Sequence, residues 1–244
     1  MAHPPCHSCD AATDPAGSGL LGWNYHFQIA TDSTHTDSSS ATAEQALARL
    51  KAGNRRYVAD DPIPVDLSRQ RRLDVAIAQR PFATLVGCSD SRVGPEQLFG
   101  VGLGDLFIVR TAGNNVDTHG MGSIEFSVNQ LGVPLIVVLG HERCGAVESA
   151  VKVVTEDLQL SGSMGKMIEP IVLAVLSAQR LLAAGGTDED LLEAAVHENI
   201  RRMVHRLRTA SEPYLMEPQA AGWLKVVGAY YDLATGSVEF SEMV

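Results

Sequence analysis

The chain has 244 residues and a mass of 26.1 kDa, and hydrophobic residues make up 45% of it, which is enough for a sizeable core. Its 19 basic and 29 acidic residues give a formal net charge of −10, which argues against a nucleic-acid partner, because a polyphosphate binds to a basic surface. No apolar run approaches the roughly 18 residues of a membrane span, and the start of the chain lacks the basic and apolar segments of a secretory signal. These features predict a cytoplasmic protein with no membrane partner.

Residues 1–40 differ in composition from the rest of the chain. They are rich in Ser, Thr and Asp and lack periodic apolar positions, so we expect a flexible tail followed by one folded domain, residues 41–244. The tail holds Cys6 and Cys9 in a C-x-x-C motif, but no second C-x-x-C follows that would complete a tetrahedral metal site. An incidental segment is the favoured interpretation, with metal binding or redox chemistry as the alternative.

Strands and helices are predicted to alternate from residue 43 onwards. Apolar residues at helical spacing indicate a first helix, and three short runs with β-branched residues indicate buried parallel strands, each followed by a helix. Two longer helices and a final pair of strands complete the chain. The alternation predicts an α/β fold, a mainly parallel β-sheet wrapped by helices with a C-terminal antiparallel edge strand. The predicted elements, in chain order, are helix 43–57, strand 82–86, helix 95–98, strand 106–109, helix 122–130, strand 135–139, helix 146–154, helix 167–183, helix 189–209, strand 224–231 and strand 238–240.

Two of the predicted strands end close to residues that can bind a metal. Cys88 follows the first strand, and His141 and Cys144 follow the third strand, three residues apart. Ligands of parallel α/β sheets bind beyond the carboxyl ends of the strands, so we expect these side chains to converge. Two thiolates and an imidazole suit zinc, and three protein ligands are typical of a catalytic site that keeps a position for water. Burial of each cysteine as a small apolar residue is the alternative.

A carboxylate and a guanidinium follow Cys88 closely. Asp90 and Arg92 are two residues apart, and a local salt bridge is the simplest interpretation. Zinc bound to two thiolates and a neutral imidazole carries no net charge, so a nearby carboxylate could take the fourth position. We expect Arg92 to hold Asp90 in a bidentate pair, which leaves that position to water. Asp90 would then accept a hydrogen bond from the zinc-bound hydroxide and orient it towards the substrate.

The run Cys-Ser-Asp-Ser-Arg at 88–92, followed by His141 and Cys144, resembles the signature of the β-class carbonic anhydrases. Residues 104–114 and 122–126 are similar to two further blocks of that family. The resemblance implies one Zn²⁺ per chain, bound by the two cysteines and the histidine. It also implies that the aspartate and the arginine of the run form a catalytic pair.

The resemblance extends over residues 43–240 and implies an assembly as well as a fold. The building block would be a homodimer, often part of a larger homo-oligomer, in which N-terminal helical arms embrace the partner and the active sites lie at the interface. Two apolar surfaces agree with this expectation, because the helix 43–57 and the region of Phe126 would remain uncovered in an isolated chain.

The resemblance also assigns substrate-binding positions. Gln79 falls on the family's substrate-binding glutamine, and Phe107 and Phe126 fall on aromatic positions that line the pocket. Phe126 departs from the tyrosine that is common there and lacks its hydroxyl. The implied reaction is the reversible hydration of carbon dioxide to bicarbonate and a proton, by attack of zinc-bound hydroxide. Gln79 and the backbone N–H of Gly145, at a helix start, would orient the bicarbonate.

Two other functions stay open from the sequence alone. One is a hydrolase of carbon disulfide or carbonyl sulfide, because both molecules share the linear shape of carbon dioxide. The other is a catalytically silent zinc-containing assembly protein, although a structural zinc ion would not need the pair of Asp90 and Arg92.

Overall fold

The computed structural model describes four stretches of the chain, residues 41–62, 64–182, 186–209 and 213–241. The predicted flexible tail, residues 1–40 with Cys6 and Cys9, lies outside the described residues, so the tail and the domain boundary at residue 41 stay predictions. Within the four stretches, no helix combines the length and the apolar character that crossing a membrane requires.

The described residues form helices and strands that alternate over most of the chain. Every predicted element is present, with ends that differ by up to five residues. The elements in chain order are α1 Ala43–Val58, α2 Arg69–Ala76, β1 Ala83–Cys88, α3 Pro95–Phe99, β2 Leu106–Thr111, a 3₁₀ turn Ala112–Asn114, α4 Thr118–Asn129, β3 Leu135–His141, α5 Gly145–Thr155, α6 Gly162–Leu181, α7 Asp188–Arg208, α8 Pro213–Ala220, β4 Lys225–Tyr231 and β5 Val238–Ser241.

The five strands form one sheet in the order β2-β1-β3-β4-β5. Neighbouring strands from β2 to β4 run parallel, and β5 pairs with β4 in the antiparallel direction. The predicted α/β fold is therefore confirmed, including its antiparallel edge strand. From β1 the chain passes outwards to β2 and then returns to the other side of β1 as β3. The strand order thus changes direction between β1 and β3, which is where ligands of open parallel sheets bind.

Helices cover both faces of the sheet and bury the central strands β1 and β3 along their whole length. Val86 and Val138 point into a core shared with helices α4 to α8. Leu85 and Leu139 are the strand neighbours of these two valines and therefore point to the opposite face, into a second core shared with α1 and α3. Both strands are thus fixed by packing on two sides, which holds their carboxyl ends in a defined position.

Helix α1 packs on its own chain, so the expectation that its apolar face is uncovered is wrong. Leu47 and Leu50 are 6% and 0% exposed and belong to the second core. The approach to α3 is so close that a Cβ on Gly53 would lie 1.9 Å from the carbonyl oxygen of Phe99. The other predicted surface is confirmed, because Phe126 is 48% exposed.

The sequence pattern does not predict α2 and α8. Helix α2 buries none of its residues, so it has no apolar periodicity, and its start is fixed by the Ser68 side chain, which accepts the backbone N–H of Arg71. Helix α8 begins at Pro213 and contains Pro218, and prolines at this density are more typical of a loop. Both helices are short. Helix α2 depends on local contacts that an apolar pattern does not reveal, whereas α8 packs on the first core through Leu215, a single buried position that sets no periodicity.

Candidate metal centre

The predicted metal ligands lie on three elements that meet at one edge of the sheet. Cys88 is the last residue of β1, His141 is the last residue of β3, and Cys144 is the N-cap residue of α5. Because β1 and β3 pair in parallel, with Gly87 opposite Leu139, their carboxyl ends lie side by side. The ligands therefore converge at the point where the strand order changes direction, as the sequence predicts.

The spacing and the hydrogen bonds of these side chains fit a zinc ion. The two sulfur atoms and an imidazole nitrogen lie within 4.8 Å of one another in buried residues. The sulfur atoms of Cys88 and Cys144 are 3.9 Å apart, and tetrahedral Zn–S bonds of about 2.3 Å place two sulfur atoms about 3.8 Å apart. His141 Nδ1 lies 2.8 Å from the carbonyl oxygen of Glu142, which leaves the Nε2 lone pair for a metal. That Nε2 atom is buried without a hydrogen-bond partner.

The two thiols share a hydrogen bond that makes them differ in acidity. The bond from Cys144, with help from backbone N–H groups, lowers the pKa of the Cys88 thiol against the opposing effect of burial. The same bond, together with burial, raises the pKa of the Cys144 thiol. The Cys88 thiol therefore loses its proton more readily than the Cys144 thiol, and a metal ion binds the sulfur atoms only in their deprotonated form.

Asp90 and Arg92 form the expected bidentate pair. Arg92 Nε donates to Asp90 Oδ1 over 3.0 Å, and Arg92 Nη2 donates to Asp90 Oδ2 over 2.7 Å. These bonds hold the pKa of Asp90 well below its usual range, so its carboxyl group is ionised at neutral pH. Asp90 Oδ2 lies 3.8 Å from His141 Nε2. The carboxylate thus adjoins the metal position while the guanidinium holds it.

Two residues that the sequence analysis does not single out support the loop after β1. Arg110 Nε donates to the carbonyl oxygen of Cys88, and Arg110 Nη2 donates to that of Asp90, each over 2.7 Å. The backbone N–H of Gly113 donates to Cys88 Sγ over 3.2 Å. A single arginine inside the apolar β2 is the signal that could have identified Arg110.

The predicted substrate-binding residues divide into two groups, of which the first lies at the metal centre. Gly145 is the exposed first residue of α5 and directly follows Cys144. Its N–H is one of the groups that lack a partner within the helix at a helix start, where the positive end of the helix dipole favours negative charge.

The second group lies towards the other end of β1. Phe107 on β2 is paired with Thr84, which is about 13 Å along the strand from Cys88. Gln79 is exposed and precedes β1, at the end of the strand opposite to Cys88. The rings of Phe107 and Phe126 have centroids 6.3 Å apart, which places Phe126 in the same group.

The fold and the ligand geometry define an α/β protein with a zinc centre built from two cysteines and one histidine. Known proteins of similar sequence agree with this description of the fold and the centre. The family model described as carbonic anhydrase matches residues 83–238, which include all three ligands. A carbonic anhydrase from Mycolicibacterium smegmatis is 41% identical over 190 residues, which cover 78% of this chain and 89% of that protein. Carbonic anhydrase 2 from Mycobacterium tuberculosis is 40% identical over 188 residues, which cover 77% and 87% respectively.

Solved structures show the same likeness. A chain from the two tetrameric beta-carbonic anhydrases of Sordaria macrospora superposes with a TM-score of 0.64 at 25% identity, over 70% of this chain and 85% of that one. The beta-carbonic anhydrase CcaA gives a TM-score of 0.60 at 28% identity, over 80% and 94%. The chain therefore belongs to the β class of the carbonic anhydrase family. Zinc is the metal of that class, and Cys88, His141 and Cys144 are positioned to bind it.

Proposed function

We propose that this chain catalyses the reversible hydration of carbon dioxide to bicarbonate and a proton. The observation that carries the proposal is the carboxylate of Asp90, held by Arg92 beside a centre with three protein ligands. Structural zinc sites are usually closed by four protein ligands, whereas three leave a position for water. The two relatives at about 40% identity are carbonic anhydrases.

The zinc ion, when bound, supplies a Lewis acid that makes water a nucleophile at neutral pH. The side chains around it orient the reactants. Asp90 is ionised, so its carboxylate can only accept hydrogen bonds. It orients the attacking oxygen by accepting a hydrogen bond from the O–H group of that oxygen. The N–H of Gly145 is placed to donate to the oxygen atoms on which negative charge develops.

The remaining predicted substrate-binding residues support a site that two copies of the chain complete. Gln79, Phe107 and Phe126 lie at the opposite end of β1 from the metal ligands of their own chain. Phe126 is half exposed, and α2, which precedes Gln79, buries none of its residues. These surfaces suit a homodimer or a larger homo-oligomer, in which this group faces the metal centre of a neighbouring copy. The Sordaria macrospora relatives are described as tetrameric.

Stopped-flow measurement of carbon dioxide hydration tests the proposed reaction. We expect activity in the zinc-loaded protein, loss of activity in Cys88→Ser, and full activity in Arg56→Ala. Arg56 is a control for the loss of an exposed arginine such as Arg92, because it pairs with Asp61 over 3.1 Å and its side chain is 47% exposed against 51% for Arg92, but it lies on α1. Turnover of carbon disulfide or carbonyl sulfide without hydration of carbon dioxide would identify the hydrolase alternative. Stoichiometric zinc without any of these activities would identify a silent assembly protein.

A further inference from the structure

Gly113 lies in the turn after β2 with its backbone in the left-handed region, at φ 73° and ψ 27°. A side chain does not fit there, because a Cβ would lie 2.6 Å from Ile171 Cδ1 and 3.0 Å from Ala146 Cβ. This conformation directs the Gly113 N–H to Cys88 Sγ, over 3.2 Å. The Gly113 turn therefore supplies a hydrogen-bond donor to one of the zinc ligands.

Asn199 of α7 holds the same turn from the other side. It is buried at 6% exposure, and its Nδ2 donates to the carbonyl oxygen of Gly113 over 2.8 Å. The next residue, Ile200, packs on the end of β3, where a Cβ on Gly140 would lie only 2.5 Å from Ile200 Cδ1. Because the Ile200 side chain packs directly against Gly140 of β3, α7 is held at the position from which Asn199 contacts the Gly113 turn.

We propose that Asn199 is a positioning residue of the zinc centre, acting through Gly113 on the sulfur atom of Cys88. It does not touch the metal. By fixing the Gly113 carbonyl, it keeps the N–H of the same residue directed at the sulfur atom. A hydrogen bond to a ligand sulfur withdraws electron density from it and orients it for the metal, and partners of this kind typically change metal affinity by about 10–100-fold. The inference concerns the zinc centre alone and does not depend on carbon dioxide being the substrate.

The test compares Asn199→Ala with Asn54→Ala. Asn54 is 5% exposed, and its Nδ2 donates over 2.9 Å to the carbonyl oxygen of Gly236, which also has a positive φ, of 76°. Asn54 lies on α1. Its side chain also bonds to the carbonyl oxygen of Leu98 and to the backbone N–H of Val238, so Asn54→Ala loses more buried bonds than Asn199→Ala but none that supports the metal centre. The first readout is zinc affinity, from competition with a chelator. The second is the energy of the sulfur-to-metal charge-transfer band in the cobalt-substituted protein.

We expect Asn199→Ala to weaken zinc binding about tenfold or more and to move the band to lower energy, because the sulfur atom becomes more electron-rich. Asn54→Ala should lose at least as much thermal stability and leave both readouts unchanged. Unchanged readouts in Asn199→Ala, or equal changes in the two variants, would overturn the proposal. If Asn199→Ala does not fold, unmodified protein loaded with an NMR-active cadmium isotope replaces it. A scalar coupling between cadmium and the Gly113 amide proton would confirm the hydrogen bond through which Asn199 is proposed to act, and its absence would overturn the proposal.

Discussion

Replacing Arg92 by alanine is expected to lower carbon dioxide hydration about tenfold while the zinc content stays unchanged. The guanidinium touches none of the three metal ligands, so zinc should remain bound. Its role is to hold Asp90, whose Oδ2 lies only 3.8 Å from His141 Nε2. Once released, the carboxylate can bind zinc at the position that the proposed reaction leaves to water.

The magnitude follows from the contacts that are lost and kept. The substitution removes the bonds of 3.0 and 2.7 Å from the Arg92 side chain to Asp90 and a bond of 3.2 Å to the carbonyl oxygen of Arg143. It keeps the 2.9 Å bond from the backbone N–H of residue 92 to Asp90 Oδ1. Losing a hydrogen bond to a charged group costs about 1.5–3 kcal/mol. The Arg92 side chain is 51% exposed, so solvent screens the ion pair, and we expect its two bonds together to contribute the lower end of this range. At about 1.4 kcal/mol for each factor of ten, the activity falls about tenfold.

The assay combines stopped-flow hydration rates with zinc analysis of the same samples, and Arg56→Ala is the control for loss of an exposed Arg–Asp pair. The double variant Arg92→Ala with Asp90→Asn should lose less than the sum of the two single effects, because the competing ligand is weakened as well. Activity close to that of the unmodified protein in Arg92→Ala would remove the pair from the mechanism. Loss of zinc in that variant would show that Arg92 acts on the structure of the centre instead.

Cys88→Ser, Cys144→Ser and His141→Ala should each lose the one zinc ion per chain. Full zinc content by elemental analysis in any of these variants would contradict the ligand assignment. The Gln79→Ala protein and the Cys88→Ser protein should each have low activity. When their subunits are exchanged, roughly a quarter of normal activity should return, because half of the dimers are mixed and one of the two sites in each mixed dimer is complete. No recovery would argue against a site shared between copies. Gly140→Ala should lower the free energy of unfolding by about 1–3 kcal/mol, because the added Cβ lies 2.5 Å from Ile200 Cδ1; an unchanged denaturant midpoint would show that α7 can move aside.

The sequence is sufficient to predict the parts of the centre that lie at strand ends. Cys88 and His141 follow continuous apolar runs, and parallel strands in one sheet present their carboxyl ends at the same edge, so their convergence follows from the alternation of elements. The pairing of Asp90 with Arg92 follows from their spacing of two residues and their charges. These predictions need no knowledge of how the helices pack.

The supporting contacts depend on packing between distant segments and are not predictable in this way. Asn199 and Gly113 are far apart in the sequence, and neither has a pattern that marks it as a partner of the other. The surface of α1 shows a related limit. An amphipathic helix indicates that one face is buried, but not whether its own chain or a second copy covers it. Leu50, on that face, is fully buried by the chain itself.

Cys88 and His141 are separated along the chain by all of β2 and α4, and hydrogen bonds between β1 and β3 bring their backbones together. The entropy lost on closing this long loop is therefore offset in part by sheet formation. An ion that binds only the closed loop adds its binding free energy to the native state, about 4 kcal/mol when its free concentration is a thousand times the dissociation constant. Chains made during zinc shortage would consequently unfold and be degraded more readily. The supply of the ion would then set how much of the protein persists as well as how much is active.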